Sequence, residues 1–330
     1  MIISKTPLRV SFLGGGTDLP SFYTNNDYGS VISSCIDSFL YVTIKKQNEI
    51  FEEKYRLNYS ETELVSNLED IKHPIIRESI KFLEIKEPLY ISTIADVPSH
   101  TGLGSSSSFT VGLLNALMSF CKKEIESYEL AEVAADIEIN KLKQALGKQD
   151  HYAAAFGGMH SYNFNSDETV NVNKLNISEE NSQILSSSLL MFWTDMSRSS
   201  QTILNDQDKK NIQNSKILLN MREQVNVFKN LVESQIIDLK SIGELIGEGW
   251  EYKKKLSSLI TNELINDVYQ SALKKGAYGG KVLGAGGGGF LMLVVKPELK
   301  NIIIKNVESM GFKYYNFNFE SKGTEVTNIY

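Results

Sequence analysis

The sequence has few cysteines, scattered histidines and little excess charge, and each scarcity excludes a class of protein. Only two cysteines occur in 330 residues, Cys35 and Cys121, both in apolar surroundings. We therefore expect free thiols in a reducing cytoplasm, not a disulfide framework. The four histidines do not lie at the spacing of a zinc site. A net charge of −6 argues against nonspecific binding to nucleic acid or to a membrane surface.

Long apolar runs are also missing. The N-terminus lacks the basic start and apolar stretch of a secretory signal, and the apolar run at residues 290–295 is too short to cross a bilayer. These absences predict a cytoplasmic protein with no nucleic-acid partner and no membrane partner. A chain of 330 residues and 37.0 kDa can bury a sizeable core and favours two domains over one.

The most informative stretch is a loop rich in glycine and serine within residues 96–111. An apolar, β-favouring segment leads into it at residues 89–95, and a segment with helical spacing follows it. Such a loop brings backbone N–H groups, hydroxyls and the positive end of a helix to one point, which suits a phosphate. A flexible linker is the alternative, but linkers rarely lie directly between a strand and a helix. The loop matches neither common nucleotide-binding fingerprint.

Two other glycine-rich stretches also lie beside strands. Residues 14–18 follow a predicted strand at 8–13, with Arg9 inside the strand and Asp18 just past the turn. Residues 276–289 hold eight of the 23 glycines and precede a strand at 290–295. A single ligand-binding loop would need only one such turn. We therefore predict that the three turns converge on one cleft. A large, multiply charged ligand such as a nucleoside triphosphate fits a cleft of that kind.

Strands and helices are mixed along the chain and do not alternate strictly, which favours an α+β fold over a doubly wound sheet. A polar stretch at residues 165–188 indicates a domain boundary, and we divide the chain into residues 1–175 and 176–330. The remaining predicted strands are residues 31–44, 50–59, 159–164, 189–193 and 314–319, and the predicted helices are 75–83, 127–146, 211–239, 242–256 and 263–275.

Three motifs resemble those of the GHMP kinases. They are Pro98-x-x-x-Gly-Leu-Gly-Ser-Ser-Ser107, Pro7-Leu-Arg-Val-Ser-Phe-Leu-Gly-Gly-Gly-Thr-Asp18 and Lys281-Val-Leu-Gly-Ala-Gly-Gly-Gly-Gly-Phe290, in the order and at the spacing of that family. The resemblance covers essentially the whole chain. It implies a two-domain GHMP kinase fold, with an N-terminal α+β domain resembling part of a ribosomal protein, a ferredoxin-like C-terminal domain and ATP bound between them.

Within the family, the sequence of residues 14–20 and 147–158 is most similar to that of the bacterial D-glycero-D-manno-heptose 7-phosphate kinases and the related fucokinase domains. The resemblance thus implies transfer of phosphate from ATP to the C1 hydroxyl of heptose 7-phosphate, a small-molecule sugar phosphate, for surface-polysaccharide synthesis. A fucokinase-like or galactokinase-like sugar 1-kinase is the alternative. Galactokinases carry Glu-His where this chain has Gly15 and Gly16, which weighs against galactose.

The resemblance also assigns roles to individual residues. Asp150 matches the catalytic aspartate, and Arg9 matches the basic residue that faces it. Ser106 and Glu138 match the ligands of Mg²⁺. The ATP-binding residues implied are Pro98, Gly102, Leu103, Gly104, Ser105, Ser106, Ser107 and Ser108. The substrate-binding residues implied or proposed are Gly14, Gly15, Gly16, Thr17, Asp18, Arg198, Gly286 and Gly287.

Arg198 is included because an arginine beside a strand end could bind the sugar's phosphate bidentately. We expect residues 253–255, three consecutive lysines, to lie on a solvated helix face, and we assign no chemistry to His151. A non-catalytic sugar sensor on the same fold is a second functional class, which the presence of Asp150 and Arg9 disfavours. A serine hydrolase would need Gly-x-Ser-x-Gly, which the serine cluster lacks. The sequence leaves open whether the chain forms a homodimer.

Overall fold

Two β-sheets and eleven helices make up the part of the chain that the computed structural model describes, residues 1–48, 50–99, 101–196, 200–211 and 213–329. The strands are β1 (Ile2–Leu13), β2 (Tyr28–Lys46), β3 (Tyr55–Asn58), β4 (Thr62–Val65), β5 (Leu89–Ala95), β6 (Met159–Asn165), β7 (Val170–Lys174), β8 (Leu189–Trp193), β9 (Ala277–Val282), β10 (Phe290–Val295), β11 (Lys313–Tyr315) and β12 (Glu325–Asn328).

The helices are α1 (Pro20–Tyr23), α2 (Pro74–Phe82), α3 (Ser105–Phe120), α4 (Ser127–Ala135), α5 (Gln149–Phe156), α6 (Glu179–Ser188), α7 (Ser200–Lys209), α8 (Ser215–Val232), α9 (Leu239–Lys254), α10 (Glu263–Lys274) and α11 (Lys300–Ser309). A π-helical segment, Asp136–Lys141, continues α4, and short 3₁₀ turns lie at Leu68–Asp70 and Pro297–Leu299. In the described ranges no helix is both long and apolar enough to cross a membrane.

The first sheet is built around β2, which is 19 residues long. One edge of β2 pairs with β1. Its other edge pairs with β6 over residues 28–34 and with β5 over residues 40–46, both antiparallel. The full order is β12-β1-β2-β5-β3-β4, with β6 and β7 branching from β2. Because β5 ends at Ala95, opposite Leu40 of β2, and Leu40 pairs with Thr6, the loop that follows β5 begins beside the middle of β1.

The second sheet is antiparallel with the order β11-β8-β10-β9. All six residues of β10 are buried, which explains why this strand reads as a continuous apolar run and does not alternate. Helices α8 and α9 pack between the two sheets and contact each other, and α9 covers β9 and β10. The mixed, two-part architecture confirms the predicted α+β class.

A shared core joins the two halves. Leu8, Val10 and Phe12 of β1 belong to the same buried cluster as residues of α8, α9, β8 and β10. The ring of Phe12 stacks on that of Phe228 from α8 with a centroid separation of 4.9 Å. One continuous apolar core therefore joins the two sides of the cleft described below.

Several predicted elements differ from those observed. The predicted helix at residues 127–146 leaves α-helical geometry at Asp136, where a π segment begins, and ends at Lys141. Only residues 55–58 of the predicted strand 50–59 are extended in a sheet, because Ile50 and Phe51 are exposed. The predicted helix 211–239 spans only α8, since Asp238 accepts backbone hydrogen bonds from Lys240 and Ser241 and so begins α9.

The C-terminal segment also departs from expectation. The predicted strand 314–319 is confined to β11, and β12 was not predicted because it is short, polar and mostly exposed. Strand β12 pairs with β1, so the end of the chain returns to the first sheet. Apart from this strand, the sheets separate near residue 175, and the division into residues 1–175 and 176–330 stays a prediction.

We predict that Phe228→Ala lowers the free energy of unfolding by about 3–5 kcal/mol, because the substitution leaves a cavity against the stacked ring of Phe12. The measurement is urea denaturation. Val227→Ala, on the exposed side of the same helix, is the matched control and should change the value by only about 0.5 kcal/mol. Equal effects of the two substitutions would contradict a core shared between the sheets.

Candidate active site

The three glycine-rich turns meet at one cleft. Gly15 and Gly16 line it from the first turn, Gly102 and Gly104 from the second and Gly284 from the third. The second and third turns touch directly, since a Cβ added to Gly284 would lie 2.5 Å from the Cα of Gly102. Both residues have positive φ, +82° at Gly102 and +63° at Gly284, so a side chain is excluded by conformation as well as by space.

The loop between β5 and α3, called the phosphate loop below, presents the start of a helix to the cleft. Gly104 takes the left-handed conformation, with φ +78°, just before α3, and Ser105, Ser106 and Ser107 line the cleft from the first turn. Because α3 is 16 residues long, its N-terminal N–H groups and dipole favour an anion here. This geometry is what the phosphate-binding prediction requires.

Three other residues of the predicted ATP-binding set do not line the cleft. Leu103 is fully buried, and its carbonyl accepts a hydrogen bond from the backbone N–H of Arg9 at 3.0 Å. The hydroxyl of Ser108 donates to the carbonyl of Pro7 at 3.0 Å. Both residues fasten the loop to β1. Pro98 is exposed, before the loop turns into the cleft.

A bidentate ion pair lies at the centre of the cleft. Arg9 donates from Nε and Nη2 to the two carboxylate oxygens of Asp150 at 2.7 and 2.6 Å. Its third group, Nη1, donates to the carbonyl of Gly102 at 2.6 Å. The Arg9 side chain is 4% exposed, and that of Asp150 is 21% exposed. The pair thus joins β1, the phosphate loop and α5, and Asp150 keeps a surface towards the cleft.

Glu138 lies behind the phosphate loop and is completely buried. One carboxylate oxygen accepts a hydrogen bond from the hydroxyl of Ser106 at 2.7 Å, and the other from that of Thr110 at 2.9 Å. The second oxygen also lies 2.8 Å from Nε2 of His151. The π segment places Glu138 in this position, a common use of such a local irregularity.

His151 is a residue that the sequence analysis missed. It follows Asp150 on α5, so the two side chains leave the helix in different directions, one to the cleft and the other to Glu138. The sequence analysis assigned no chemistry to His151, and the structure places its Nε2 beside the carboxylate of Glu138. Its position beside Asp150 is the only signal in the sequence, and that signal does not reveal its partner.

The charge state of Glu138 follows from these contacts. Burial alone would raise the pKa of Glu138, but hydrogen bonds and charge from His151, and hydrogen bonds from Ser106 and Thr110, lower the pKa below its ordinary value. An ionised carboxylate and a hydroxyl are ligand types that Mg²⁺ prefers. No group of three or more acidic, histidine or cysteine ligands occurs in the described residues, so a Mg²⁺ ion here would also need phosphate oxygens.

The first glycine turn presents Asp18 to the cleft. Its carboxylate accepts a hydrogen bond from the N–H of Gly16 at 2.9 Å, and a Cβ on Gly147 would collide with it. Burial raises the pKa of Asp18, and the charge of Asp150 adds to this effect, while the backbone hydrogen bonds oppose it. Gly14 and Thr17 lie behind the turn, where the Thr17 hydroxyl is within 2.8 Å of the Gly14 carbonyl.

The third turn reaches the cleft at different residues from those predicted. Gly284 and Ala285 line the cleft. Gly286 and Gly287 pack instead against Ile260, whose carbonyl accepts the Gly287 N–H at 2.6 Å. The predicted substrate contacts of these two glycines therefore lack support from their positions. Arg198, predicted to bind the sugar's phosphate, lies outside the described residues.

Lys253 corrects the prediction for residues 253–255. Its side chain is buried, lines the cleft from α9 and donates a hydrogen bond to the carbonyl of Gly284. Burial, followed by the positive charge of Arg9, lowers the pKa of Lys253 to about 8, against the opposing charges of Asp18 and Asp150. Only Lys255 is exposed as predicted. A run of three lysines in the sequence does not indicate which of them faces the cleft.

The amino-acid sequence of the chain matches two family models. Residues 71–158 match the GHMP kinases N terminal domain, and residues 227–311 match the GHMP kinases C terminal domain. The two matches lie on either side of the cleft and together cover about half of the chain.

Similar proteins include kinases of several sugars. A D-glycero-alpha-D-manno-heptose 7-phosphate kinase of Campylobacter jejuni is 30% identical, with 98% of each chain covered. A galactokinase of Pyrococcus furiosus is 23% identical, with 91% of each covered. Among solved structures, a D-glycero-D-manno-heptose 1-phosphate kinase from Bacteroides thetaiotaomicron superposes with a TM-score of 0.81, at 26% identity and with 100% of both chains covered.

We predict that Asp18→Asn makes the protein more stable at pH 7. The raised pKa means that the folded protein favours protonated Asp18 and that the ionised form opposes folding. The stability contributed by the protonated form is present at low pH and is lost as the pH rises through the folded-state pKa. Urea denaturation between pH 5 and 8 should therefore show the largest gain at high pH.

The exposed Asp267→Asn on α10 is the control for that measurement and should show no such dependence. A less stable Asp18→Asn protein at pH 7 would contradict the burial cost assigned to this carboxylate.

Proposed function

We propose a specific substrate for this chain, which belongs to the GHMP kinase family and is an ATP-dependent sugar kinase. The acceptor is D-glycero-D-manno-heptose 7-phosphate, and the product is the 1,7-bisphosphate for heptose nucleotide and surface-polysaccharide synthesis. The observation that carries this proposal is the 30% identity to the Campylobacter jejuni heptose 7-phosphate kinase over 98% of both chains.

The Asp150 carboxylate is the proposed base. It accepts the proton of the anomeric C1 hydroxyl while the C1 oxygen bonds to the γ-phosphorus of ATP. The bond from that phosphorus to the β–γ bridging oxygen breaks, and ADP leaves. Each carboxylate oxygen keeps a lone pair for this hydrogen bond after accepting one from Arg9. Phosphoryl transfer demands positioning more than covalent help, which suits a carboxylate fixed at two points.

Arg9 is proposed to orient that carboxylate. Its planar guanidinium fixes both Asp150 oxygens and the Gly102 carbonyl, so the base cannot rotate away from the phosphate loop. Its positive charge is also proposed to stabilise part of the negative charge that develops on the transferred group.

The phosphate loop and the start of α3 are proposed to bind the triphosphate. Backbone N–H groups at Ser105–Ser107 and the helix dipole would bind its oxygens. Ser106 and Glu138 would hold Mg²⁺, and their hydroxyl and buried ionised carboxylate fit that ion. A bound Mg²⁺ would neutralise part of the negative charge of the phosphates.

Gly15, Gly16 and Asp18 are proposed to contact the sugar. The two glycines leave space for a bulky acceptor, and Asp18 can accept hydrogen bonds from its hydroxyls. Arg198 remains the sequence-based proposal for the sugar's phosphate. A cytoplasmic location also stays a prediction, and the sequence leaves a homodimer open.

A fucokinase-like or galactokinase-like sugar 1-kinase is the second candidate. It is favoured by similarity to a galactokinase at 23% identity over 91% of each chain. It is also favoured by similarity to a Bacteroides fragilis L-fucokinase/L-fucose-1-P guanylyltransferase at 22% identity, over 99% of this chain and 38% of that protein. The non-catalytic sensor is disfavoured because the Arg9–Asp150 pair is intact. All of the kinase candidates use the same C1 chemistry and differ in the acceptor.

A coupled assay of ADP release over a panel of acceptors tests the substrate. Heptose 7-phosphate should give a kcat/KM at least ~10-fold above those of fucose, galactose and mannose, because a fixed phosphate site adds binding that these sugars lack. Heptose 1-phosphate should be inert, since its C1 oxygen is already phosphorylated. A higher kcat/KM with fucose or galactose would replace the heptose proposal with the second candidate.

Asp150→Asn should lower kcat by about 10²–10⁴-fold, because the amide cannot accept the C1 proton. ATP should still raise the melting temperature of this variant, since the phosphate loop is unchanged. Asp267→Asn, on the exposed face of α10, is the control and should keep full kcat. Undiminished turnover by Asp150→Asn would rule out Asp150 as the base.

A further inference from the structure

Two cations line the part of the cleft that the structure describes, Arg9 and Lys253, and they differ in their hydrogen bonding. Arg9 already donates three hydrogen bonds, two to Asp150 and one to the carbonyl of Gly102. The ammonium of Lys253 has three donors and a single described hydrogen bond, to the carbonyl of Gly284. Lys253 is therefore the cation in the described part of the cleft that is better able to receive a ligand.

The charges around Lys253 do not neutralise it. Within the described residues no carboxylate lies at ion-pair distance from its ammonium, whereas its neighbour Lys254 pairs with Glu251 at 2.7 Å. Arg9, Asp18 and Asp150 line the same cleft as Lys253. Arg9 and the buried Lys281 repel its charge, and the two carboxylates attract it. Asp150 is already bound to Arg9. A buried ammonium of this kind is costly to folding and calls for a functional explanation.

The position of Lys253 indicates which ligand would compensate that charge. Its hydrogen-bond acceptor, Gly284, packs directly on Gly102 of the phosphate loop. The carbonyl of Gly102 accepts a hydrogen bond from Arg9, and Arg9 holds Asp150. The ammonium therefore approaches the meeting point of the phosphate loop and the proposed base from the opposite side of the cleft, on a helix of the second half.

We propose that Lys253 is a catalytic residue whose ammonium binds the oxygens of the phosphoryl group while it moves from ATP to the sugar. This inference rests on the proposed kinase site, but not on the identity of the sugar. No proton is transferred to or from Lys253. Its N–H groups donate to the non-bridging oxygens of the group in transit, whose charge the hydroxyls and N–H groups of the loop only partly balance.

The proposal assigns a division of labour to the two halves of the protein. The first half would bind the triphosphate and supply Asp150, and α9 of the second half would supply the positive charge at the opposite side. Because α9 packs on the shared core through Ile242 and Ile246, this charge has a fixed position. The acceptor's own phosphate carries oxygens of the same kind. The experiment must therefore distinguish binding of Lys253 to the transferred group from binding to the acceptor's phosphate.

Lys253→Met is the test variant, and Lys255→Met, exposed two residues further along, is the matched control. We expect Lys253→Met to lower kcat by about 100-fold or more with little change in the KM of either substrate, as for loss of a donor that acts on developing charge. The loss should be equal for a phosphorylated and an unphosphorylated acceptor. Lys255→Met should keep the kcat of the unsubstituted protein.

A binding measurement complements the kinetics. ADP with aluminium fluoride and the sugar mimics the transferred group, and it should raise the melting temperature of the unsubstituted protein more than ADP alone does. Lys253→Met should lose that additional rise and keep the rise from ADP. Its melting temperature without ligand should equal or exceed that of the unsubstituted protein, because a buried charge is replaced by an apolar side chain of similar length. Lys253→Gln, which can still donate to Gly284 but is neutral, provides the same test if the methionine variant does not fold.

Two results would overturn the proposal. Retention of kcat in a folded Lys253→Met or Lys253→Gln protein would show that the ammonium does not act on the transferred group. A raised KM confined to the phosphorylated acceptor would assign Lys253 to the acceptor's phosphate instead. Both comparisons use whichever sugar the unsubstituted enzyme accepts, so a wrong heptose assignment would appear in the acceptor panel and leave this test intact.

Discussion

The ion pair between Arg9 and Asp150 is the contact on which the arrangement of the cleft depends. It joins β1, which begins the chain, to α5, which begins 140 residues after Arg9, and its third hydrogen bond fixes the carbonyl of Gly102 in the phosphate loop. Because the bidentate geometry holds both oxygens of Asp150, the carboxylate has one orientation relative to the start of α3. The backbone of Arg9 is itself fixed by the carbonyl of Leu103, so the loop and the base are positioned by the same residue.

Around this pair the protein buries charge at a cost to stability. Asp18 has a raised pKa and Lys253 a lowered pKa, both chiefly through burial, so each charged form opposes folding. Glu138 is different, since His151, Ser106 and Thr110 hold its pKa below the ordinary value. The distinction agrees with the proposed roles. Glu138, the proposed metal ligand, is favoured in its ionised form by its neighbours, whereas the charges of Asp18 and Lys253 would be compensated only by the proposed substrate contacts. Such strained sites are supported here by the large apolar core that joins the two sheets.

Much of the site could be predicted from sequence because its main parts are local. A glycine-rich turn beside a strand fixes Gly15, Gly102 and Gly284 near the cleft, and the family motifs identify Arg9 and Asp150. Lys253 and His151 could not be predicted in this way, because a lysine on a polar helix face and a histidine beside an aspartate have many ordinary uses. Their directions are set by the packing of α9 on β9 and by the π segment that carries Glu138. The return of β12 to the first sheet escaped prediction for the same reason, since its partner lies at the other end of the chain.

The central claim is that the cleft aims a sugar's C1 oxygen at the terminal phosphorus of ATP with Asp150 as the base. A crystal structure with a non-hydrolysable ATP analogue and heptose 7-phosphate tests this most directly. We predict that the C1 hydroxyl lies within about 2.6–3.2 Å of an Asp150 carboxylate oxygen. We also predict that this hydroxyl lies in line with the γ-phosphorus above the start of α3. A structure in which the γ-phosphate or the C1 hydroxyl lies away from Asp150 would contradict it.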